Sequence, residues 1–75
     1  MMHGWTPNIG SVWAHYKGNK YTVLGFAACE KTGRTLVLYS QNGELKRWAR
    51  PLSEWQEVVL NESNQPVLRY EIATE

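Results

Sequence analysis

The sequence predicts a small, mainly β domain built as an antiparallel barrel or roll, and three observations support this. The chain has 75 residues, enough for one domain (1–75) with a thin core, beginning with an irregular N-terminal arm (1–10). Short runs of β-branched, aromatic and aliphatic residues recur along it, as is typical of strands. Turn-forming residues separate these runs, at Lys17-Gly18-Asn19, Glu30–Gly33 and Asn42-Gly43.

The first three strands follow from local residue patterns. Residues 11–16 alternate in polarity, which indicates a strand with one buried face. Residues 20–29 form a long β-branched and aromatic run, in which Gly25 allows a bend. Residues 34–40 have apolar side chains on both faces, which is typical of a central strand.

A hairpin and a short helix come next. Asn42-Gly43 is the strongest hairpin pattern in the chain, and residues 45–50 form the returning strand. Pro51 ends that strand because proline has no N–H to donate to the ladder. Residues 52–55 suit a single helical turn, for which Ser53 is a candidate N-cap.

The chain ends in two further strands, residues 57–60 and residues 66–72. The second alternates throughout, so that Leu68, Tyr70 and Ile72 share one face. Five to six short strands with short turns favour an SH3-like antiparallel barrel or roll with one short helical turn. The alternative is an open five-stranded sheet that closes by dimerising.

Composition argues against several classes of protein. One cysteine, Cys29, excludes an intrachain disulfide, and with only two His the chain has no zinc-binding pattern, so we expect no metal and no cofactor. We interpret Cys29 as a small buried apolar residue. No signal-peptide pattern and no long apolar run is present. We therefore expect a cytoplasmic protein without membrane association.

The net charge of +1 conceals an uneven distribution. Residues 1–50 contain seven Lys or Arg and two Glu, a net of +5. Residues 51–75 contain one Arg and five Glu, a net of −4, and the whole chain has no Asp. The two segments can pair within one domain or between subunits.

A series of short motifs occurs in a fixed order: Trp13–Gly18, Tyr21–Ala27, Leu36–Tyr39, Trp48–Leu52, Trp55 and Pro66–Tyr70. From Val12 to Arg69 this order resembles a bacterial family, domain of unknown function 1653 (DUF1653). Its pattern runs Y-x-H-F-K-G-x-x-Y-x-V-L-G-x-A, L-V-V-Y, W-V-R-P-L, a Phe and P-x-R-F. The resemblance implies a small SH3-like β roll and no established activity.

This chain departs from the family pattern in two places that concern binding. The connection between Tyr39 and Trp48 is slightly shorter and lacks the usual Tyr-Gly segment. Cys29 stands where a His is common in the family. Any ligand held by that loop or by that His would be bound differently here.

Two groups of polar side chains are candidate binding residues. His15 can titrate near neutral pH, and Lys17 adds a positive charge beside it. Trp48 and Arg50 lie on one face of a strand, where a guanidinium can stack on the indole and bind a carboxylate or phosphate. In the alternative interpretations, His15 is only a strand end before the Gly18 turn, and Arg50 pairs with a Glu of the acidic C-terminal third.

The aromatic residues are too numerous for a core this small. Most of them fill the interior, and those left outside mark an interface. Trp5, in the N-terminal arm, is the best candidate for an exposed aromatic. The full set of ligand or interface candidates is Trp5, His15, Lys17, Tyr39, Trp48, Arg50, Trp55 and Arg69.

These features favour a binding protein over an enzyme, because no nucleophile–base–carboxylate pattern or phosphate-binding loop is present. We predict a non-catalytic module that self-associates as a dimer or larger homo-oligomer. The alternative is a monomeric barrel that binds a peptide or small anion through Trp48, Arg50 and His15. Weak single-stranded nucleic-acid binding is a third hypothesis, which the low net charge disfavours. It would use the basic-aromatic cluster of Lys46, Arg47, Trp48 and Arg50.

Overall fold

The computed structural model describes residues 6–73, which form seven strands and one short helix. The elements are β1 (Val12–His15), β2 (Lys20–Ala28), β3 (Thr35–Gln41), β4 (Arg47–Pro51), α1 (Leu52–Trp55), β5 (Val58–Leu60), β6 (Pro66–Leu68) and β7 (Tyr70–Ile72). A five-stranded antiparallel sheet has the order β4-β3-β2-β1-β7, and β5 and β6 form a separate two-stranded sheet.

The predicted mainly β, antiparallel class with one short helix is confirmed. The larger sheet is open, because β4 and β7 are its two edges among the described strands, so the architecture is a roll without barrel closure. Its five strands match the alternative prediction of an open sheet, while closure by dimerisation stays a prediction. The strand count of five to six is too low, because the chain divides the last predicted strand in two.

The β1–β2 turn follows the sequence prediction. Gly18 has φ 112°, a conformation that L side chains rarely adopt. Its N–H donates to the His15 carbonyl over 2.7 Å, and the His15 N–H donates to the Asn19 carbonyl over 2.8 Å. The turn therefore holds His15 at the end of β1.

A β-bulge in β2 produces the bend that Gly25 suggests. The register with β3 shifts between Val23, opposite Tyr39, and Gly25, opposite Leu38. The extra residue changes which alternate side chains face inward. Val23 before the bulge and Phe26 after it can therefore both pack against the core.

The β3–β4 connection is longer than the predicted hairpin. The returning strand begins at Arg47, not at residue 45, after a loop of residues 42–46. Asn42 is held by β2, because its N–H donates to the Lys20 carbonyl (2.9 Å) and its Oδ1 accepts from the Thr22 hydroxyl (2.7 Å). This attachment to a third strand widens the turn.

Helix α1 spans the predicted residues 52–55, but its N-cap lies two residues before Ser53, so the prediction of Ser53 as N-cap is wrong. Pro51 is the N-cap, with φ −56° and ψ 138°, and no side chain within residues 6–73 caps the helix. Proline fixes φ at the helix entrance and leaves no N–H unsatisfied there. Ser53 therefore lies inside the first turn.

Arg69 divides the predicted strand 66–72. β6 pairs with β5, whereas β7 pairs with β1 in the other sheet. At the division, the Arg69 N–H donates to the Glu57 carbonyl and the Arg69 carbonyl accepts from the Tyr16 N–H, each over 2.9 Å. Tyr70 is 1% exposed, but Ile72 is 56% exposed, so the predicted shared face is only partly buried.

The core lies between the large sheet and α1. Six residues form it: Trp13, Val23, Val37, Tyr39, Trp55 and Tyr70. Four of the six are aromatic, as expected for a chain with few interior positions. Within residues 6–73, no helix has the length and apolar character needed to cross a membrane.

Trp55 offers a test of how this core is stabilised. Its Nε1 is buried without a hydrogen-bond partner among the described residues, and the family pattern has Phe at this position. We expect Trp55→Ala to lower the free energy of unfolding by about 3–5 kcal/mol. Trp55→Phe should lower the free energy of unfolding by less than half as much, because it also removes the unsatisfied indole N–H donor.

Urea unfolding of the two variants, with exposed Trp48→Phe as control, measures the difference. The control should stay within about 0.5 kcal/mol of the parent protein. If Trp55→Phe is as destabilising as Trp55→Ala, the indole N–H has a stabilising partner and this description of the core is wrong.

Candidate functional site

The candidate site is built on a cluster of aromatic rings in the core. The Trp55 indole stacks on the Tyr70 ring with 4.0 Å between centroids and 14° between planes. Trp13 and Tyr39 each meet Trp55 edge-on at 5.6 Å. Tyr39 and Trp55, both candidates for ligand or interface contact from the sequence, are 6% and 0% exposed. They belong to the core, and the core cluster positions Arg50, which contacts Tyr39 and Tyr70.

Arg50 lies at the edge of this cluster and has partners within the chain. Its Nη1 donates to Glu54 Oε1 over 2.7 Å, and its Nε donates to the Tyr39 hydroxyl over 3.5 Å. Its guanidinium carbon is 5.9 Å from the centroid of the Tyr70 ring. The internal ion pair, one of the two interpretations of Arg50, is therefore present in the structure. A ligand anion would have to compete with Glu54.

The protonation states of Arg50 and Tyr70 do not change near neutral pH. Burial opposes the charged form of Arg50, but the hydrogen bonds to Tyr39 and Glu54 and the nearby Tyr70 oxygen raise its pKa above the ordinary value. Burial also raises the pKa of Tyr70, although the Arg50 charge acts in the opposite direction. Arg50 is thus a constant cation and Tyr70 a neutral phenol.

His15 lies on the other side of Tyr70. Its ring centroid is 5.0 Å from Tyr70 and 4.7 Å from Tyr16. The Lys17 N–H donates to His15 Nδ1 over 3.1 Å, which favours the neutral ring with its proton on Nε2. Burial, followed by the charges of Arg50, Arg69 and Lys17, lowers the pKa of His15 below 6.5.

Arg69 is also paired internally. Its Nη2 and Nε donate to Glu57 Oε1 over 2.9 Å and 3.2 Å. Together with the backbone bonds of Arg69, this pair joins the β5–β6 sheet to β7. Its role in the structure is to hold the junction between the two sheets.

Among the candidate aromatics within residues 6–73, Trp48 is the exposed one. It is 46% exposed, and the Lys46 ammonium lies 5.1 Å from its ring centroid. The register places Trp48 opposite Tyr39 and Arg50 opposite Val37, so both are on the core-facing side of β4, as predicted. Arg47, opposite Ser40, is on the other side. The proposed basic-aromatic cluster is thus divided between two faces.

Two adjoining clefts lie between the β1–β2 turn and the β5–β6 sheet. One measures about 560 Å³; its lining residues are Tyr16, Lys17, Asn61, Glu62 and Ser63. The other measures about 290 Å³; its lining residues are Ala14, His15, Tyr16, Asn61, Val67, Leu68 and Glu71. His15 lines the smaller cleft and Lys17 the larger one; the clefts share Tyr16 and Asn61, and we call the two together the groove.

Asn61 is the residue of this groove that sequence reasoning missed. Its Oδ1 accepts from the backbone N–H groups of Ser63 (2.8 Å) and Gln65 (3.0 Å), which organises the β5–β6 loop. An Asn in a polar loop is typical of such a turn, but only folding brings the loop to Tyr16.

Two residues named in the sequence analysis remain, Trp5 and Cys29. Trp5 lies outside the described residues. Cys29 is partly exposed in a turn, so its interpretation as a buried residue is wrong, and hydrogen bonds with Thr32 lower its pKa. Across residues 6–73, no group of three or more His, Cys, Asp or Glu could hold a metal ion.

We expect Arg50 to stabilise the fold rather than serve as a free anion site. Arg50→Ala should reduce the free energy of unfolding by about 1–2 kcal/mol, because Glu54 and Tyr39 lose their charged partner. Arg47→Ala, on the same strand but facing outward, should change it by less than about 0.5 kcal/mol. Equal effects of the two substitutions in urea unfolding would contradict this role.

His15 should make stability depend on pH. Because folding lowers its pKa, the unfolded chain binds more protons than the folded chain just below pH 6.5. The contribution of His15 to the free energy of unfolding is therefore complete above pH 6.5, and it is lost as the pH falls toward the pKa of His15 in the folded protein. The difference between the parent protein and His15→Gln, measured by unfolding at each pH, should shrink on acidification. A constant difference would contradict the assignment.

Comparison with known proteins agrees with the fold and with the sequence motifs. Residues 11–72 match the family described as protein of unknown function (DUF1653). A crystal structure of a DUF1653 protein from Bordetella bronchiseptica is similar, with 31% identity, a TM-score of 0.68 and coverage of 81% of each chain. No curated protein matches significantly. The resemblance noted in the sequence is therefore confirmed, and the chain belongs to the DUF1653 family.

Proposed function

We propose that this protein is a small, non-catalytic binding module of the cytoplasm that self-associates. The observation that supports it best is the amount of large apolar side chain left on the surface of so short a chain. Outside the β3–β4 loop, the most exposed of these residues are Ile9, Val58, Leu60 and Ile72, at 56–68%. Apolar groups clustered at a surface are typical of protein interfaces.

The state of the polar residues supports binding over catalysis. Arg50 and Arg69 are each paired with a Glu of the same chain. The Nδ1 of His15 already accepts a backbone hydrogen bond. A general base or a free electrophilic arginine would need one of these groups to be available to a substrate.

Ligand binding by a single chain is the second candidate function. The groove beside His15 and Lys17 supports it, because a lysine, an imidazole and the Asn61 loop converge there. A peptide carboxylate or a small anion fits this chemistry better than the engaged Arg50 does. Single-stranded nucleic acid has less support, because Arg47 and Trp48 lie on opposite faces of β4.

Light scattering across a concentration series tests self-association. We expect a mass above the 8.7 kDa of one chain at micromolar concentration. A uniform 8.7 kDa species up to about 1 mM, where any remaining association is worth no more than about 4 kcal/mol, would contradict the proposal. In that case, phosphate or a short acidic peptide that shifts the NMR signals of Lys17 but not those of Lys31 would favour the second function.

A further inference from the structure

One side of the large sheet, the side opposite the core, is apolar and open. β3 has half-buried leucines there, and Leu24 of β2 is 39% exposed. Gly25 pairs with Leu38 in the register. A Cβ added to Gly25 would have no atom of the other described residues within 4 Å, apart from its two chain neighbours. We call this surface the outer apolar face; its residues are Leu24, Ala27, Leu36, Leu38 and Ala49.

The rim of the outer apolar face is basic. Arg34 precedes β3, and Arg47 lies on β4 opposite Ser40, on this same side. Neither arginine takes part in an ion pair among residues 6–73. The two adjacent turns add no net charge, because Glu30 is followed by Lys31, and Glu44 and Lys46 share the other loop.

A second apolar surface lies on the β5–β6 sheet. The register pairs Val58 with Leu68 and Leu60 with Pro66, which places all four on one face. Val58, Leu60 and Leu68 are 59%, 61% and 37% exposed. We call this surface the hairpin face; its residues are Val58, Leu60, Pro66 and Leu68.

Acidic residues border the hairpin face. Glu57 precedes it and is neutralised by Arg69. Glu62 is in the loop after Leu60 and Glu71 lines a cleft with Leu68, and neither has an ion pair within the described chain. Lys17 and Glu62 line the same cleft, and the Lys17 ammonium is 5.8 Å from the centroid of the Tyr16 ring. The net charge of the residues around the hairpin face is thus negative, whereas the net charge at the rim of the outer apolar face is positive.

From these two surfaces we propose that the hairpin face of one copy docks on the outer apolar face of a second copy. This inference rests on the proposed self-association and specifies its geometry. Docking either face on its own equivalent would bring like charges together, whereas docking one on the other brings opposite charges together around an apolar centre. Such a head-to-tail contact leaves one free surface at each end, so copies add until a ring closes or a filament forms.

Two blocking variants test this geometry by mass measurement. Ala49→Glu places a carboxylate in the outer apolar face, and Leu60→Glu places one in the hairpin face; both positions are exposed. A carboxylate buried in either contact is strongly unfavourable. Leu45→Glu, in the 98% exposed loop position outside both faces, is the matched control. Circular dichroism and thermal unfolding establish that each variant is folded.

We expect the control to retain the parent protein's mass and each blocking variant to be a monomer. Mixed in equal amounts, the two variants should form a heterodimer of twice the monomer mass and nothing larger, because each supplies the face that the other lacks. If either variant alone still forms dimers, or the mixture stays monomeric, the head-to-tail geometry is wrong although self-association stands. If the parent protein is itself a monomer, the proposed self-association fails as well.

Discussion

The stacking of Trp55 on Tyr70 is the contact on which the rest of the structure depends. A one-turn helix cannot be stable alone, so burial of Trp55 holds α1 in place. The same indole touches Trp13 and Tyr39 edge-on and thereby joins α1 to β1, β3 and β7. Burying Trp55 also places Glu54, its neighbour in the helix, beside Arg50. The geometry of the candidate site is thus a consequence of core packing.

The two internal arginine pairs explain what the uneven charge does. Arg50 connects the basic segment to the acidic one, and Arg69 binds Glu57 within the acidic segment. Several charges remain unpaired among the described residues: cations beside β2, β3 and β4, carboxylates beside β6 and β7, and the turn residues Glu30 and Glu44. The pairs hold the fold together, while the proposed association between copies depends on the unpaired charges.

A short chain limits how much of its sheet can be covered. An antiparallel sheet with one solvated face normally alternates apolar and polar residues, but β3 has leucines on the face opposite the core. The described chain has one short helix to cover a five-stranded sheet, and it packs on the core side. The shortage of covering elements, not an unusual composition, is why apolar side chains stay exposed.

The sequence by itself determined the features that depend on local rules. Alternation in strands indicated that Trp48 and Arg50 share a face, and glycine's tolerance of positive φ indicated the turn at Gly18. The family motifs identified the roll. The tertiary structure decided the rest: the division at Arg69, the partner of Arg50, and the groove between Lys17 and Asn61. These depend on which distant strands pair and which aromatic rings fill the core. No local pattern encodes such choices, because their energies come from contacts between segments far apart in the chain.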